Sequence, residues 1–300
     1  MFSILMGSMM FVMVPRASAS AVRINEVLDT PAAIADRVSA DAKTSDGNRP
    51  ALPKGTVEFD RVTFSYPGAE QPAVCDLTFT ARPGEVTAII GGTGSGKTTL
   101  INLIPRFYDP DSGSVRIDGV DVRDMTQKEL RAKIGLVPQK AVLFTGTVAD
   151  NIRYGKEDAD EDEIRRAAEI AQAAEFIEQM PDGYGSVVQQ GGANLSGGQK
   201  QRLSIARALV RKPDIYLFDD SFSALDYKTD AKLRAALKRE TKEATVIIVA
   251  QRVSTVMDAD QIIVLDEGKI VGIGKHRELL ESCDVYREIV ASQLSEEEIA

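Results

Sequence analysis

Apolar residues run almost unbroken from Met1 to Val14, reading MFSILMGSMMFVMV. A helix that crosses a membrane needs about 20 apolar residues, so this run is too short by itself. It does not read as a secretory signal either, because Arg16 and Arg23 follow the apolar run instead of preceding it. The pattern fits the end of a longer membrane helix whose start lies outside the chain. Residues 1–28 are then its cytoplasmic end, with Arg16 and Arg23 on the cytoplasmic side. Residues 29–55 are rich in Pro, Asp, Ala and Gly, lack periodicity and read as a linker.

A different patterning begins at residue 56. VEFDRVTFSY (57–66) and LTFTA (77–81) alternate as half-buried antiparallel strands do. VTAII (86–90), IYLF (215–218) and TVIIVA (245–250) are continuous apolar runs, as expected of parallel strands buried on both faces. Residues 159–180, 196–211 and 227–242 read as helical, and QIIVLDEGKIVGIG (261–274) as a hairpin turning at Asp-Glu-Gly. Buried strands alternating with helices predict a parallel α/β core, into which the helices between 159 and 211 are inserted.

Composition narrows this picture without changing it. The chain has 300 residues, 43% hydrophobic and 27% charged, which suits a globular core. Its net charge of -9 makes nucleic acid a poor partner, and any phosphate-binding cations must be few and locally placed. Cys75 and Cys283 lack metal-ligand spacing and read as reduced packing residues.

Gly91-Gly92-Thr93-Gly94-Ser95-Gly96-Lys97-Thr98 is a P-loop pattern that follows a strand and opens a helix. Glycines there let backbone N–H groups turn towards phosphate oxygens, and the helix N-terminus adds positive potential. Lys97 is expected on the β- and γ-phosphates of a nucleotide and the Thr98 hydroxyl on Mg2+, with Thr99 following in the same helix. The strand IYLFDD delivers Asp219, which is expected to hold Mg2+ through water. Ser196 with Gln199 three residues later is a capping box. A cap does not explain Gly197 and Gly198, which cost helix stability but let a phosphate approach.

The P-loop, Leu195-Ser196-Gly197-Gly198-Gln199, the strand ending in Asp and Ser223-Ala224-Leu225-Asp226 together resemble the ATPase domain of ABC transporters. The resemblance covers residues 56–290 or so. It implies a P-loop NTPase fold: a RecA-like parallel core, an antiparallel β subdomain and an inserted α-helical subdomain at about 140–212, within an ATP-binding domain of 56–300. It implies that Tyr66 stacks on adenine, as an alternative to a plain strand aromatic. It implies that Gln139, in GLVPQ, touches Mg2+ and senses the membrane domain, as an alternative to a loop polar residue. Asp226 then lies in a loop crossing a dimer interface, and each ATP is shared between one chain's P-loop and the other chain's LSGGQ. The cofactors implied are ATP and Mg2+. The partners implied are a second half-transporter and the coupling helices of a transmembrane domain. The N-terminal apolar piece resembles the end of the sixth membrane helix of exporter chains, which places the ATPase domain on the cytoplasmic side of the cell membrane.

Two positions depart from the family pattern, and both concern hydrolysis. Asp220 stands where the family usually has Glu, and Gln251 where it usually has His. An intact LSGGQ beside an altered Glu and His resembles the half of a heterodimeric exporter that carries the weak site. The alternatives are a homodimer with slow chemistry at both sites, a nucleotide-gated module without turnover, and a soluble ABC ATPase. The last is disfavoured by the acidic balance and by the lack of paired domains or coiled-coil insertions. The only histidine, His276, reads as a solvated residue of a surface turn.

Overall fold

The computed structural model describes residues 2–36 and 52–293. Most of the expected linker (37–51), and 294–300 of the expected ATP-binding domain, lie outside the described residues. The chain divides into two units, Met1–Ala35 and Asp36–Ala300.

The first unit is the helix α1 (Phe2–Leu28), 27 residues with none buried. At 1.5 Å per residue it is about 40 Å long. The helix runs through Pro15 and well past the apolar run at its start. By length and composition it is able to cross a membrane.

The second unit opens with β1 (Val57–Phe64), β2 (Val74–Ala81) and β3 (Val86–Gly91), followed by α2 (Lys97–Leu103). Next come β4 (Ser112–Ile117), β5 (Val120–Asp121), α3 (Gln127–Ala132), β6 (Ile134–Val137) and β7 (Gly146–Thr147). A helical stretch follows with α4 (Val148–Arg153), α5 (Glu161–Ile170), α6 (Ala174–Glu178), the short β8 (Val187–Val188) and α7 (Gly197–Val210). The chain ends with β9 (Ile215–Asp219), α8 (Tyr227–Glu240), β10 (Thr245–Val249), α9 (Val253–Val256), β11 (Gln261–Asp266), β12 (Lys269–Gly274), α10 (His276–Ser282) and α11 (Asp284–Ala291).

The central sheet has the order β12-β11-β3-β10-β9-β6. All its pairings are parallel except that of the edge strand β12. Successive side chains of a strand point to opposite faces, so a strand covered on both sides must be apolar throughout. β9 shows this directly. Tyr216 and Phe218 join a core with the inserted helices, and Ile215 and Leu217 join the opposite core with α2 and the antiparallel sheet. That second sheet, β2-β1-β4-β5, packs Phe59 on Phe79 with ring centres 4.6 Å apart.

The helical stretch leaves the central sheet after Val137 and re-enters at Ile215, on strands that pair with each other from Ile134↔Ile215 onwards. The helical pattern at 159–180 resolves into two short helices. Asp160 caps α5 by accepting from the Glu163 N–H, and Gln172 breaks the run with a φ of 56°. The hairpin turns at Glu267 and Gly268, φ 44° and 77°, both in the left-handed region that a tight two-residue turn requires.

Candidate functional site

β3 ends at Gly91 and α2 begins at Lys97, so the chain reverses into the helix over five residues, of which Gly94 (φ 82°) and Gly96 (φ 96°) are left-handed. A Cβ on Gly96 would lie 2.7 Å from the Ala73 carbonyl oxygen, and one on Gly91 would collide with the Leu265 carbonyl. Both conformation and packing therefore demand glycine here. Lys97 is buried. Its Nζ donates to the Gly91 and Gly92 carbonyls at 2.9 and 2.5 Å and to Ser95 Oγ at 3.3 Å. Burial pulls its ammonium pKa down, and the carboxylates of Asp220 and Asp219 oppose that pull.

Asp219 ends β9 at the same end of the sheet. The Thr98 hydroxyl donates to its Oδ1 at 3.3 Å. Burial pushes the Asp219 carboxyl above its ordinary range; the Thr98 bond opposes this and the neighbouring Asp220 charge adds to it. A buried carboxylate held beside a hydroxyl, with a like charge next to it, suits a hard cation with oxygen ligands. These two groups fit Mg2+, which when bound neutralises charge developing on the phosphates.

Asp220 follows in a left-handed conformation, φ 44°, with its N–H tied to the Val249 carbonyl at 2.9 Å. Its Oδ2 accepts from Gln251 Nε2 at 2.9 Å and from Gln139 Nε2 at 3.4 Å. Burial raises its pKa, offset by hydrogen bonds from Ser223 and Gln139. Gln139 follows β6, Asp220 follows β9 and Gln251 follows β10. The cluster thus stands at the C-terminal ends of adjacent parallel strands, where open α/β sheets place their ligands.

Tyr66 lies just beyond β1 and is 36% exposed. Its hydroxyl sits 3.0 Å from Thr99 Oγ1, and its ring packs edge-on to Phe64 and Tyr108. The tyrosine is therefore attached to the P-loop helix.

Ser196 caps α7: its Oγ accepts from the Gln199 N–H at 3.3 Å, and Gln199 Oε1 accepts from the Ser196 N–H at 2.9 Å. The two glycines that follow differ. A Cβ on Gly198 would lie 3.1 Å from the Ala224 carbonyl oxygen, so close packing explains it, whereas one on Gly197 would meet nothing within 4 Å. Asp226 caps α8 by accepting from the Thr229 N–H at 3.0 Å. Among the described residues no hydrogen bond joins Ser196–Gln199 to Gly91–Thr99. The structure brings Lys97, Thr98, Asp219, Asp220, Gln139 and Gln251 into one cluster and leaves the signature segment outside it.

His276 corrects its expectation. It opens α10 half-buried, with Nδ1 2.7 Å from the hydroxyl of the fully buried Tyr286, and burial lowers its pKa. Sequence reasoning also passed over Gln201, whose amide donates to the Pro138 carbonyl at 3.2 Å and ties α7 to the segment carrying Gln139. No periodicity marks it, since it is a polar residue on a buried helix face.

The fold and the phosphate loop define a P-loop NTPase. The profile of the ABC transporter family matches residues 74–223, and this chain belongs to that family. An uncharacterized ABC transporter ATP-binding protein of Mycobacterium bovis is 49% identical over 98% of this chain and 50% of its own length. An ATP-dependent lipid A-core flippase of Chromobacterium violaceum is 44% identical over 84% of this chain and 43% of its own. A bacterial Atm1-family ABC exporter solved with ATP bound superposes with a TM-score of 0.87 at 37% identity, covering 96% of this chain and 49% of that one. The chain spans about half the length of the curated relatives it matches.

Proposed function

We propose that this chain is the ATP-binding and ATP-hydrolysing part of an ABC exporter, and that its own nucleotide site is the weak one of a pair. Names of relatives that are flippases and export proteins support the exporter reading. In this reading residues 1–28 are the cytoplasmic end of a membrane helix, 29–55 a linker and 56–300 the ATP-binding domain, with its helical subdomain at about 140–212. The ATPase domain lies on the cytoplasmic side of the cell membrane and couples to the transmembrane domain's coupling helices. Lys97 and the loop Gly91–Gly96 hold the phosphates, Thr98, Asp219 and Gln139 the Mg2+, and Tyr66 the adenine. Ser196, Gly197, Gly198, Gln199 and Asp226 serve a head-to-tail dimer with a second half.

One observation carries the weak-site reading: Asp220, which stands where the family usually has Glu, is held by the amide of Gln251, which stands where it usually has His, and by that of Gln139. Asp is one methylene shorter than Glu, and a displacement of about 1 Å in a positioned group costs on the order of 100-fold in rate. The Gln251 amide can hydrogen-bond to a γ-phosphate but, unlike an imidazole, cannot take up and release a proton. The competent site of the pair then uses this chain's LSGGQ with the partner's P-loop, Glu and His. Asp220→Glu combined with Gln251→His should raise steady-state ATP turnover by at least about tenfold, a fraction of the cost assigned to the misplaced group. Unchanged turnover would favour a nucleotide-gated module without hydrolysis.

A further inference from the structure

The loop that carries Gln251 is pinned by a residue from the far end of the chain. The Gln293 side-chain amide makes two hydrogen bonds to it: Nε2 donates to the Gln251 carbonyl at 2.8 Å, and Oε1 accepts from the Val253 N–H at 2.9 Å. The second bond fills a gap. Val253 opens α9, and the residue in the capping position, Arg252, supplies no side-chain cap. Its guanidinium is committed elsewhere, to the Ser223 carbonyl at 2.9 Å. Val253 is buried, and a first-turn N–H shielded from water needs an acceptor, for which a side-chain oxygen is the usual one. Here it comes from Gln293.

Gln293 stands on a fixed base. Its own N–H closes onto the Val290 carbonyl at 3.0 Å, and α11 is anchored in the core by Tyr286 and Val290, 0% and 1% exposed. The Tyr286 hydroxyl is bonded in turn to His276. A continuous chain of contacts therefore runs from the C-terminal helices through Gln293 to the Gln251 backbone, and through the Gln251 side chain to Asp220.

We propose that Gln293 is a positioning residue. It sets the conformation of Gln251–Val253 so that the Gln251 amide faces the γ-phosphate side of the nucleotide site. The proposal rests on the reading of Gln251 as a γ-phosphate contact. A purely structural residue would lower affinity for every nucleotide alike. A residue that aims Gln251 should act on ATP, which has a γ-phosphate, and spare ADP.

The test is the ratio of ADP to ATP dissociation constants, measured with Mg2+ on the full chain for wild type, Gln251→Ala, Gln293→Ala and Gln293→Glu. Losing one hydrogen bond to a charged phosphate corresponds to roughly tenfold in affinity. Gln251→Ala should lower the ratio by about that factor. Gln293→Ala should lower it at least about threefold, a partial loss of the same bond, with ADP affinity unchanged. Gln293→Glu keeps the acceptor for Val253 and removes the donor to Gln251. It should lower the ratio as the alanine variant does while retaining slow hydrogen exchange at the Val253 amide. A wild-type ratio in both Gln293 variants alongside a lowered one in Gln251→Ala would overturn the positioning role and leave the site reading intact. A wild-type ratio in all three would overturn both.

Discussion

Lys97→Ala is expected to lose MgATP affinity by about 100-fold, because charge-assisted hydrogen bonds to phosphate are worth about 1.5–3 kcal/mol and the lysine makes more than one. The structure supports so large an effect. The ammonium lies in the concave side of the phosphate loop, between the Gly91 and Gly92 carbonyls and Ser95 Oγ. In the proposed function, phosphate oxygens held by the same loop would come within its reach. The lysine is held there at a cost, since burial disfavours its charge. Removing it should therefore leave the melting temperature without nucleotide close to wild type. Titration of a fluorescent ATP analogue, with melting curves as control, measures both. Equal affinity in the two proteins would contradict the phosphate site.

Ser196→Arg is expected to do the reverse: leave this chain's own ATP binding within about twofold, yet abolish turnover of the assembled pair. The substitution removes one helix cap, which costs about 1 kcal/mol. No hydrogen bond among the described residues links the signature segment to the chain's own phosphate loop. Gly197 is open, with nothing within 4 Å of where its Cβ would stand. A capped helix start with an open, side-chain-free position suits an anion brought by another molecule, where the helix N-terminus stabilises charge. An arginine beside it blocks that approach. ATPase rates of heterodimers carrying the change in one half or the other measure the asymmetry. Equal loss from both halves, or no loss from Ser196→Arg, would favour a symmetric homodimer.

The features legible in the sequence were those whose cause is local. Tyr216–Phe218 and Val246–Val249 read as buried strands because both faces are covered, and that demand is written in every residue. The capping box at Ser196 was legible because both partners lie within one turn. β4 and β5 were not read, since β4 is exposed over its first two residues and β5 is two residues long, which leaves little alternation. The break at Gln172 is carried by a residue with no sequence mark for a left-handed conformation. Gly197 and Gly198 are alike in the sequence, and only the fold sets the second against the Ala224 carbonyl. Asp220 and Gln251 stood out singly as departures. Their contact depends on the register that sets Val249 opposite Asp219. Gln293 and the His276–Tyr286 pair depend on tertiary contacts alone, and no periodicity announces them.

This chain is expected to bind MgATP and by itself scarcely to cleave it. The most direct measurement mixes the full chain, in excess, with γ-labelled ATP and Mg2+, quenches at intervals and counts released phosphate. With Asp220 and Gln251 in place of Glu and His, the label should stay in bound ATP for minutes. Conversion at about 10 per second, the median for enzymes, would contradict the weak-site account.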